Sequence, residues 1–154
     1  MIELDKVLNR LSTSRHKKSK KPPKESSLWQ EIKKGIKLSG RKIETTRLES
    51  WSIPGVPDVL LCSENGVFSF MELKVTKGRS NKLNLSPHQC AWLSRHSGGP
   101  CFIVVRDSRL AISVYSGSDA VDLRMDGLTA VPPLAVFEKP YDWVEFFKLT
   151  SPVV

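Results

Sequence analysis

The stretch GVPDVLLCSENGVFSFMELKV, residues 55–75, decides the fold. It contains two apolar runs, Val56–Cys62 and Val67–Val75, and a short polar segment lies between them. That segment includes Asn65-Gly66, a dipeptide typical of tight turns between antiparallel strands. The stretch therefore predicts a β-hairpin, and the rest of the fold is built around it.

Three charged side chains interrupt the apolar pattern of this hairpin. Because side chains alternate between the two faces of a strand, Glu72 and Lys74 share a face at the end of the second strand. Asp58 lies near the start of the first strand, and a hairpin places that start beside the end of the second. We therefore expect Asp58, Glu72 and Lys74 to meet at one end of the sheet, where they are costly to desolvate unless something binds them.

A divalent cation would relieve the repulsion between two such carboxylates. Mg²⁺ prefers oxygen ligands, and Asp58, Glu72 and the main-chain carbonyl of Leu73 could supply three. Such a metal activates water for attack on a phosphodiester, and Lys74 would position that water or stabilise the developing charge. The alternative is a surface ion pair between Glu72 and Lys74, since an E-x-K triplet alone is a weak signal.

Two predicted helices flank the hairpin. The first covers Ser26–Lys37, where an apolar stripe has helical spacing: Leu28, Trp29, Ile32 and Ile36. Glu25 falls at the centre of this stripe on a helical wheel, so it could reach the sheet end and join the metal ligands. Alternatively, it only interacts favourably with the helix dipole.

The second predicted helix opens with Ser86-Pro87-His88-Gln89, which has the pattern of a capping box. Gln89 is therefore both a capping residue and a candidate for the site, and the sequence leaves the two interpretations open. Further strands are predicted over Lys42–Leu48, Cys101–Val105 and Leu110–Tyr115, and a terminal helix over Asp142–Leu149.

This order of elements predicts an α/β fold with a mixed β-sheet flanked by helices, one on each side of the three-stranded meander. We expect residues 25–154 to form a single domain. Residues 1–24 are interpreted as a basic, partly flexible extension, because Ser12–Lys24 has almost nothing to bury.

Charge and composition indicate the class of partner. The chain of 154 residues carries a net charge of +8. Residues 1–24 contain eight Lys or Arg and two acids, and residues 25–106 contain twelve Lys or Arg and seven acids. Residues 107–154 contain four Lys or Arg and seven acids, so this last segment is net negative. Positive charge in the tail and in residues 25–106, which carry the candidate site, favours a phosphate backbone as partner, although the tail alone could serve solubility.

No apolar stretch approaches the roughly 20 residues of a membrane helix, so no membrane partner is expected. The three cysteines lack metal or disulfide spacing, which favours reduced core cysteines in a cytoplasm, either bacterial or that of an infected host. The loop after Lys74 carries three cations that could bind phosphates: Lys77, Arg79 and Lys82. Alternatively, it is an exposed loop without a binding role. Trp51, just before the Gly-Val-Pro-Asp turn, is a candidate contact for nucleic acid.

Three motifs, taken together and in this order, resemble those of the PD-(D/E)XK nucleases: Gly55-Val56-Pro57-Asp58, Met71-Glu72-Leu73-Lys74 and Leu85-Ser86-Pro87-His88-Gln89. The pattern is most similar to the VRR-NUC domains, many of them in phages, and its layout is similar to archaeal-type Holliday-junction resolvases. The resemblance covers roughly Glu25–Val105. It implies a restriction-endonuclease-like core, DNA as substrate and hydrolysis with Mg²⁺, for which Mn²⁺ can substitute.

By motif position, the resemblance implies that Asp58 and Glu72 are metal ligands and that Lys74 is the catalytic lysine. It also points to Gln89 as an active-site residue and matches Glu25 to the acid of the family's first helix. The expected function is an endonuclease for branched or structured DNA, and the resemblance to resolvases implies a homodimer that cuts two symmetric strands. The alternatives are a monomeric nickase or flap nuclease, and a DNA-binding accessory protein without catalysis.

Overall fold

A computed structural model describes residues 24–48 and 53–153. Within these ranges the chain forms one six-stranded sheet whose spatial order equals the chain order. The strands are β1 (Glu44–Arg47), β2 (Val59–Cys62), β3 (Phe68–Val75), β4 (Cys101–Arg106), β5 (Ile112–Ser116) and β6 (Ala135–Phe137).

The sheet is mixed because one pair of strands, β3 and β4, runs parallel while the other neighbours are antiparallel. The β2–β3 ladder runs from Val59 opposite Met71 to Cys62 opposite Phe68. Asp58 directly precedes Val59, so this register brings it level with Glu72. The parallel β3–β4 pair ends with Val75 opposite Arg106.

Four α-helices cover the sheet in the described ranges: α1 (Lys24–Ser39), α2 (Pro87–Arg95), α3 (Ala120–Asp126) and α4 (Trp143–Thr150). A short 3₁₀ turn, Gly117–Asp119, precedes α3. Helix α2 makes the connection between the parallel strands β3 and β4, as such a pair requires.

Each face of the sheet has its own hydrophobic core. On one face, α1 and α4 pack on β-strand residues in a cluster that includes Leu28, Ile32, Leu73 and Phe146. On the other face, α2 and α3 pack in a second cluster that includes Leu93, Ile103 and Leu123. Because side chains alternate along β3, Leu73 faces the first cluster, whereas Glu72 and Lys74 face the second.

The predicted fold class is confirmed: the chain has a mixed sheet with a helix on each side of the meander. The order of one helix, three strands, a helix and a strand is consistent with a restriction-endonuclease-like core. Helix α1 extends two residues beyond the predicted Ser26–Lys37 at each end. Strand β2 begins at Val59, three residues after the start of the predicted run Val56–Cys62.

Three elements of the last third were not expected: the 3₁₀ turn, α3 and β6. Helix α3 has seven residues and β6 has three, too few for a clear periodic pattern. The final helix was predicted, and Asp142 caps it by accepting a hydrogen bond from the Glu145 N–H at 3.0 Å.

Residues 1–23 and Trp51 lie outside the described residues, so the predicted N-terminal extension and the predicted tryptophan contact stay predictions. The three cysteines are free thiols, and Cys90 and Cys101 are buried. No helix within the described ranges has the length and apolar character needed to cross a membrane.

Candidate active site

The turn that carries Asp58 packs directly on the start of helix α2. Gly55 has a φ of +87°, and a Cβ at this position would lie 2.2 Å from the main-chain oxygen of His88. Glycine is therefore required both for the backbone conformation and for the close approach. This contact fixes the Gly-Val-Pro-Asp turn against the first turn of α2, which also carries Gln89.

Asp58 is tied to the end of β3. Its Oδ2 accepts a hydrogen bond from the Leu73 N–H at 2.8 Å. Its own main-chain oxygen accepts from the Leu48 N–H at 2.9 Å, which extends the β1–β2 pairing by one step. The carboxylate of Asp58 is thus held beside the Glu72–Lys74 segment, as the hairpin register predicts.

Glu72 is the most buried carboxylate of this region, with 1% of its surface exposed. Its Oε1 accepts a hydrogen bond from Gln89 Nε2 at 2.7 Å and lies 3.2 Å from Lys74 Nζ. Its Oε2 is buried and has no hydrogen-bond partner. A buried carboxylate oxygen without a partner is costly, so this atom is suited to accept a ligand.

The environment of Glu72 disfavours its negative charge. Burial, and next the charge of Asp58, raise the pKa of Glu72 to about 7, although Lys74 acts in the opposite direction. The side chain of Lys74 is 14% exposed, so the ammonium is itself largely removed from water. A cation that binds between Asp58 and Glu72 would favour the ionised form of Glu72.

Gln89 performs two tasks at once. Its Oε1 accepts a hydrogen bond from the Ser86 N–H at 2.9 Å, and the Gln89 N–H donates to Ser86 Oγ at 3.1 Å, which completes the capping box. Its Nε2 donates to Glu72. The two interpretations of Gln89 are therefore compatible, because its amide oxygen serves the helix cap while its amide nitrogen serves the site.

Glu25 is in the first turn of α1 and is half-buried. Helix α1 covers the face of the sheet opposite to the one that Glu72 occupies. Within the described ranges, no hydrogen bond or ion pair joins Glu25 to Asp58 or Glu72. The structure thus brings Asp58, Glu72, Lys74 and Gln89 together, and a contribution from Glu25 stays a prediction.

The residues present fit a divalent cation in part. Asp58 and Glu72 offer carboxylate oxygens, Glu72 Oε2 is buried without a partner, and Leu73, directly after Glu72 in the chain, adds a main-chain carbonyl. Among the described residues, no group of three or more His, Cys, Asp or Glu side chains could hold a metal. Such a cation would therefore depend on two carboxylates, the carbonyl and water, a set that Mg²⁺ accepts.

The predicted phosphate-binding residues Lys77, Arg79 and Lys82 are exposed. They lie in residues 76–86, called the basic loop below, which connects β3 to α2. Leu83 and Leu85 of this loop are buried in the second core cluster, so the loop is anchored rather than loosely attached.

Comparison with known proteins gives a distant structural similarity. No protein-family model matches the chain, and no curated protein matches it. The fold is similar to a solved structure described as Hjc from Archaeoglobus fulgidus, a Holliday junction resolvase from an archaeal hyperthermophile. The identity is 15%, the TM-score is 0.43, and the match covers 60% of this chain and 76% of that chain. A similarity of this degree does not assign a family to the chain.

Proposed function

We propose that this protein is a divalent-metal-dependent endonuclease that hydrolyses phosphodiester bonds in DNA. The observation that carries the proposal is the state of Glu72, which is buried and has one oxygen without a partner. Asp58, Lys74 and Gln89 surround this carboxylate. A buried acid held by polar neighbours and left incompletely satisfied is typical of a functional site rather than of a stabilising ion pair.

The side chains would divide the chemistry as follows. Asp58, Glu72 and the Leu73 carbonyl hold Mg²⁺, or Mn²⁺ in its place. The bound metal supplies Lewis-acid activation of the scissile phosphate and of water. Lys74 orients the attacking water or stabilises the negative charge that develops on the phosphate oxygens. Gln89 holds Glu72 in one orientation through Oε1, which leaves Oε2 available.

The resemblance of the three sequence motifs supports membership of the PD-(D/E)XK nucleases, with VRR-NUC domains of phages as the most similar branch. It also favours branched or structured DNA, as in a resolvase, and a homodimer that cuts two symmetric strands.

The test is cleavage of a panel of labelled DNAs in Mg²⁺, in Mn²⁺ and in EDTA: a four-way junction, a flap, a splayed duplex and a linear duplex. We expect metal-dependent cleavage with preference for the junction. Glu72→Ala and Lys74→Ala should lose cleavage while they still bind DNA. Unchanged cleavage by either variant would refute the active-site assignment, and preference for the flap or nicking by a monomer would refute the resolvase-like substrate.

A second candidate is a DNA-binding accessory protein without catalysis. It is favoured by one observation: the described residues contain no group of three side chains suited to a metal. Calorimetric titration with Mn²⁺ separates the two functions, because the nuclease requires binding that is lost in Glu72→Ala. Absence of any Mn²⁺ binding would favour the accessory protein.

A further inference from the structure

The basic loop lies between two grooves, and the last third of the chain forms the far wall of each. The first groove, of about 290 Å³, lies between the loop and the turn from β4 to β5, and it is lined by Arg79 and Arg109. The second groove, of about 670 Å³, lies between the loop and the end of α3, and it is lined by Lys82 and Arg124. Each groove thus pairs a cation of the loop with an arginine from residues 107–154.

Hydrogen bonds fix the walls of both grooves. Ser108 Oγ donates to the Gly78 oxygen at 2.7 Å across the first groove. Beside the second, the Leu128 N–H donates to the Asn81 oxygen at 2.9 Å. A Cβ on Gly127, whose φ is +82°, would lie 2.5 Å from that same oxygen, so the two segments are in close contact. The grooves are therefore built into the fold and do not depend on a loosely held loop.

The cations that line the grooves are available for an anion. Within the described ranges, the side chains of Arg79, Lys82 and Arg109 form no hydrogen bond or ion pair. Arg124 donates from Nε to the Leu85 oxygen at 2.8 Å, which orients its guanidinium. Its two terminal nitrogens have no protein partner among the described residues, and such a fork matches two phosphate oxygens.

One acid lines each groove, but neither neutralises the cations. In the first groove, Asp107 Oδ1 accepts the N–H groups of Arg109 and Ala111 at 2.8 and 3.0 Å, so that oxygen is used by its own turn. In the second groove, Asp126 forms no ion pair with a described residue. Two cations against one acid leave each groove positively charged at neutral pH.

The second groove lies on the same face of the sheet as the candidate active site. Arg124 donates to the Leu85 oxygen at 2.8 Å, and Leu85 and Leu123 belong to the second core cluster, on the face that Glu72 and Lys74 share. The basic loop itself continues directly from Lys74 through Val75, so the first groove begins at the same end of β3.

We infer that the two grooves bind the phosphate backbone of DNA on either side of the basic loop, with Arg109 and Arg124 as contacts supplied by the last third of the chain. This inference rests on the proposed function, because DNA is taken from it as the partner. It gives a role to residues that lie outside the three motifs and within the acidic third of the sequence. Phosphate contacts of this kind position a substrate and do not read its sequence.

The test is fluorescence anisotropy with a labelled four-way DNA junction in EDTA, where cleavage does not interfere, at several salt concentrations. We expect Arg109→Ala and Arg124→Ala each to weaken binding about fivefold to tenfold. The double variant should lower the slope of log affinity against log salt by about two, one for each lost phosphate contact. Arg124→Lys keeps the charge and should retain most of the slope.

Arg95→Ala is the matched control, because Arg95 is an exposed arginine in the last turn of α2 and lines neither groove. Melting temperatures verify that each variant is folded, and Lys82→Ala tests the second groove without removing a hydrogen bond within the protein. An equal loss for Arg95→Ala, or normal binding by the double variant, would overturn the inference. Equal binding of an RNA duplex of the same length, with the same losses, would overturn DNA as the partner.

The two proposals can fail separately. A wild-type protein that binds the junction through Arg109 and Arg124 but cleaves nothing in Mg²⁺ or Mn²⁺ would refute the nuclease and support the grooves. If the wild-type protein cleaves the junction while the double variant binds it normally, the nuclease is supported and the role of the grooves is refuted.

Discussion

Two glutamates lie at the same end of the sheet on its opposite faces, and each is paired with a cation. Glu31 of α1 contacts Arg106 Nη1 at 2.9 Å through Oε2 and Lys139 Nζ at 3.3 Å through Oε1. Glu72 of β3 uses Oε1 for both Lys74 and Gln89, and its Oε2 has no partner. The side chain of Glu31 is 24% exposed, whereas that of Glu72 is 1% exposed.

The difference separates a structural ion pair from a candidate site. Both oxygens of Glu31 are satisfied, and the remaining exposure keeps part of the carboxylate in water. Arg106 also donates to Ser27 Oγ at 3.1 Å, so the set ties α1 to the end of β4. Glu72 has lost its water without full compensation, which a protein tolerates where function requires it.

The largest expected effect is that substitution of Glu72 lowers cleavage activity, whereas substitution of Glu31 lowers the free energy of unfolding. Glu72→Gln should lower metal-dependent cleavage by at least about 10²-fold, because it would remove a charged ligand of the proposed metal. Glu31→Ala should leave cleavage within about threefold but lower the free energy of unfolding by about 1–3 kcal/mol, since Arg106 loses its carboxylate. Steady-state cleavage and urea denaturation measure the two quantities, and equal losses of cleavage in both variants would contradict the contrast.

The second effect is a pH dependence of stability that the ionisation of Glu72 should produce. Its pKa is raised from 4.5 to about 7, so the folded protein keeps a proton that the unfolded chain has lost. Stability of the metal-free protein therefore falls as pH rises from about 4.5 to 7 and is then constant, a penalty of about 3 kcal/mol in all. Glu72→Gln removes this penalty, so in EDTA it should stabilise the protein more at pH 8 than at pH 5. A gain that is equal at both pH values would show that ionisation is not the cause.

Much of the fold could be predicted because its signals are local. Asn65-Gly66 and the alternation along residues 67–75 predict the hairpin, and Ser86 with Gln89 predicts the start of α2. The contact between Glu31 and Arg106 could not be predicted, because the two residues are 75 positions apart and meet only once α1 packs on the sheet. Helix α3 has seven residues and strand β6 has three, and the contacts that place them, such as the pairing of β6 with β5, are with distant parts of the chain.

The residues that meet at the candidate site could be predicted from the same local signals, but the burial and missing hydrogen-bond partner of Glu72 could not. Strand alternation and the hairpin place Asp58, Glu72 and Lys74 together, as the hydrogen bond from the Leu73 N–H to Asp58 reflects. That Glu72 Oε2 is buried without a partner depends on the position of α2, which the sequence leaves open. The net charge of residues 107–154 also could not predict that Arg109 and Arg124 line grooves beside the basic loop, since a net charge does not locate individual cations.

The smallest expected effect concerns the dual contact of Gln89, which has no counterpart at Glu31. Ser86→Ala removes one half of the capping box and should cost about 1 kcal/mol of stability while cleavage changes little. Gln89→Ala also removes the hydrogen bond to Glu72, so it should show a similar loss of stability together with a loss of cleavage of about tenfold. Urea denaturation and cleavage rates of the two variants, measured side by side, isolate the contribution of the Gln89 amide nitrogen. If both variants lost cleavage equally, the position of the helix cap, and not the bond to Glu72, would govern the site.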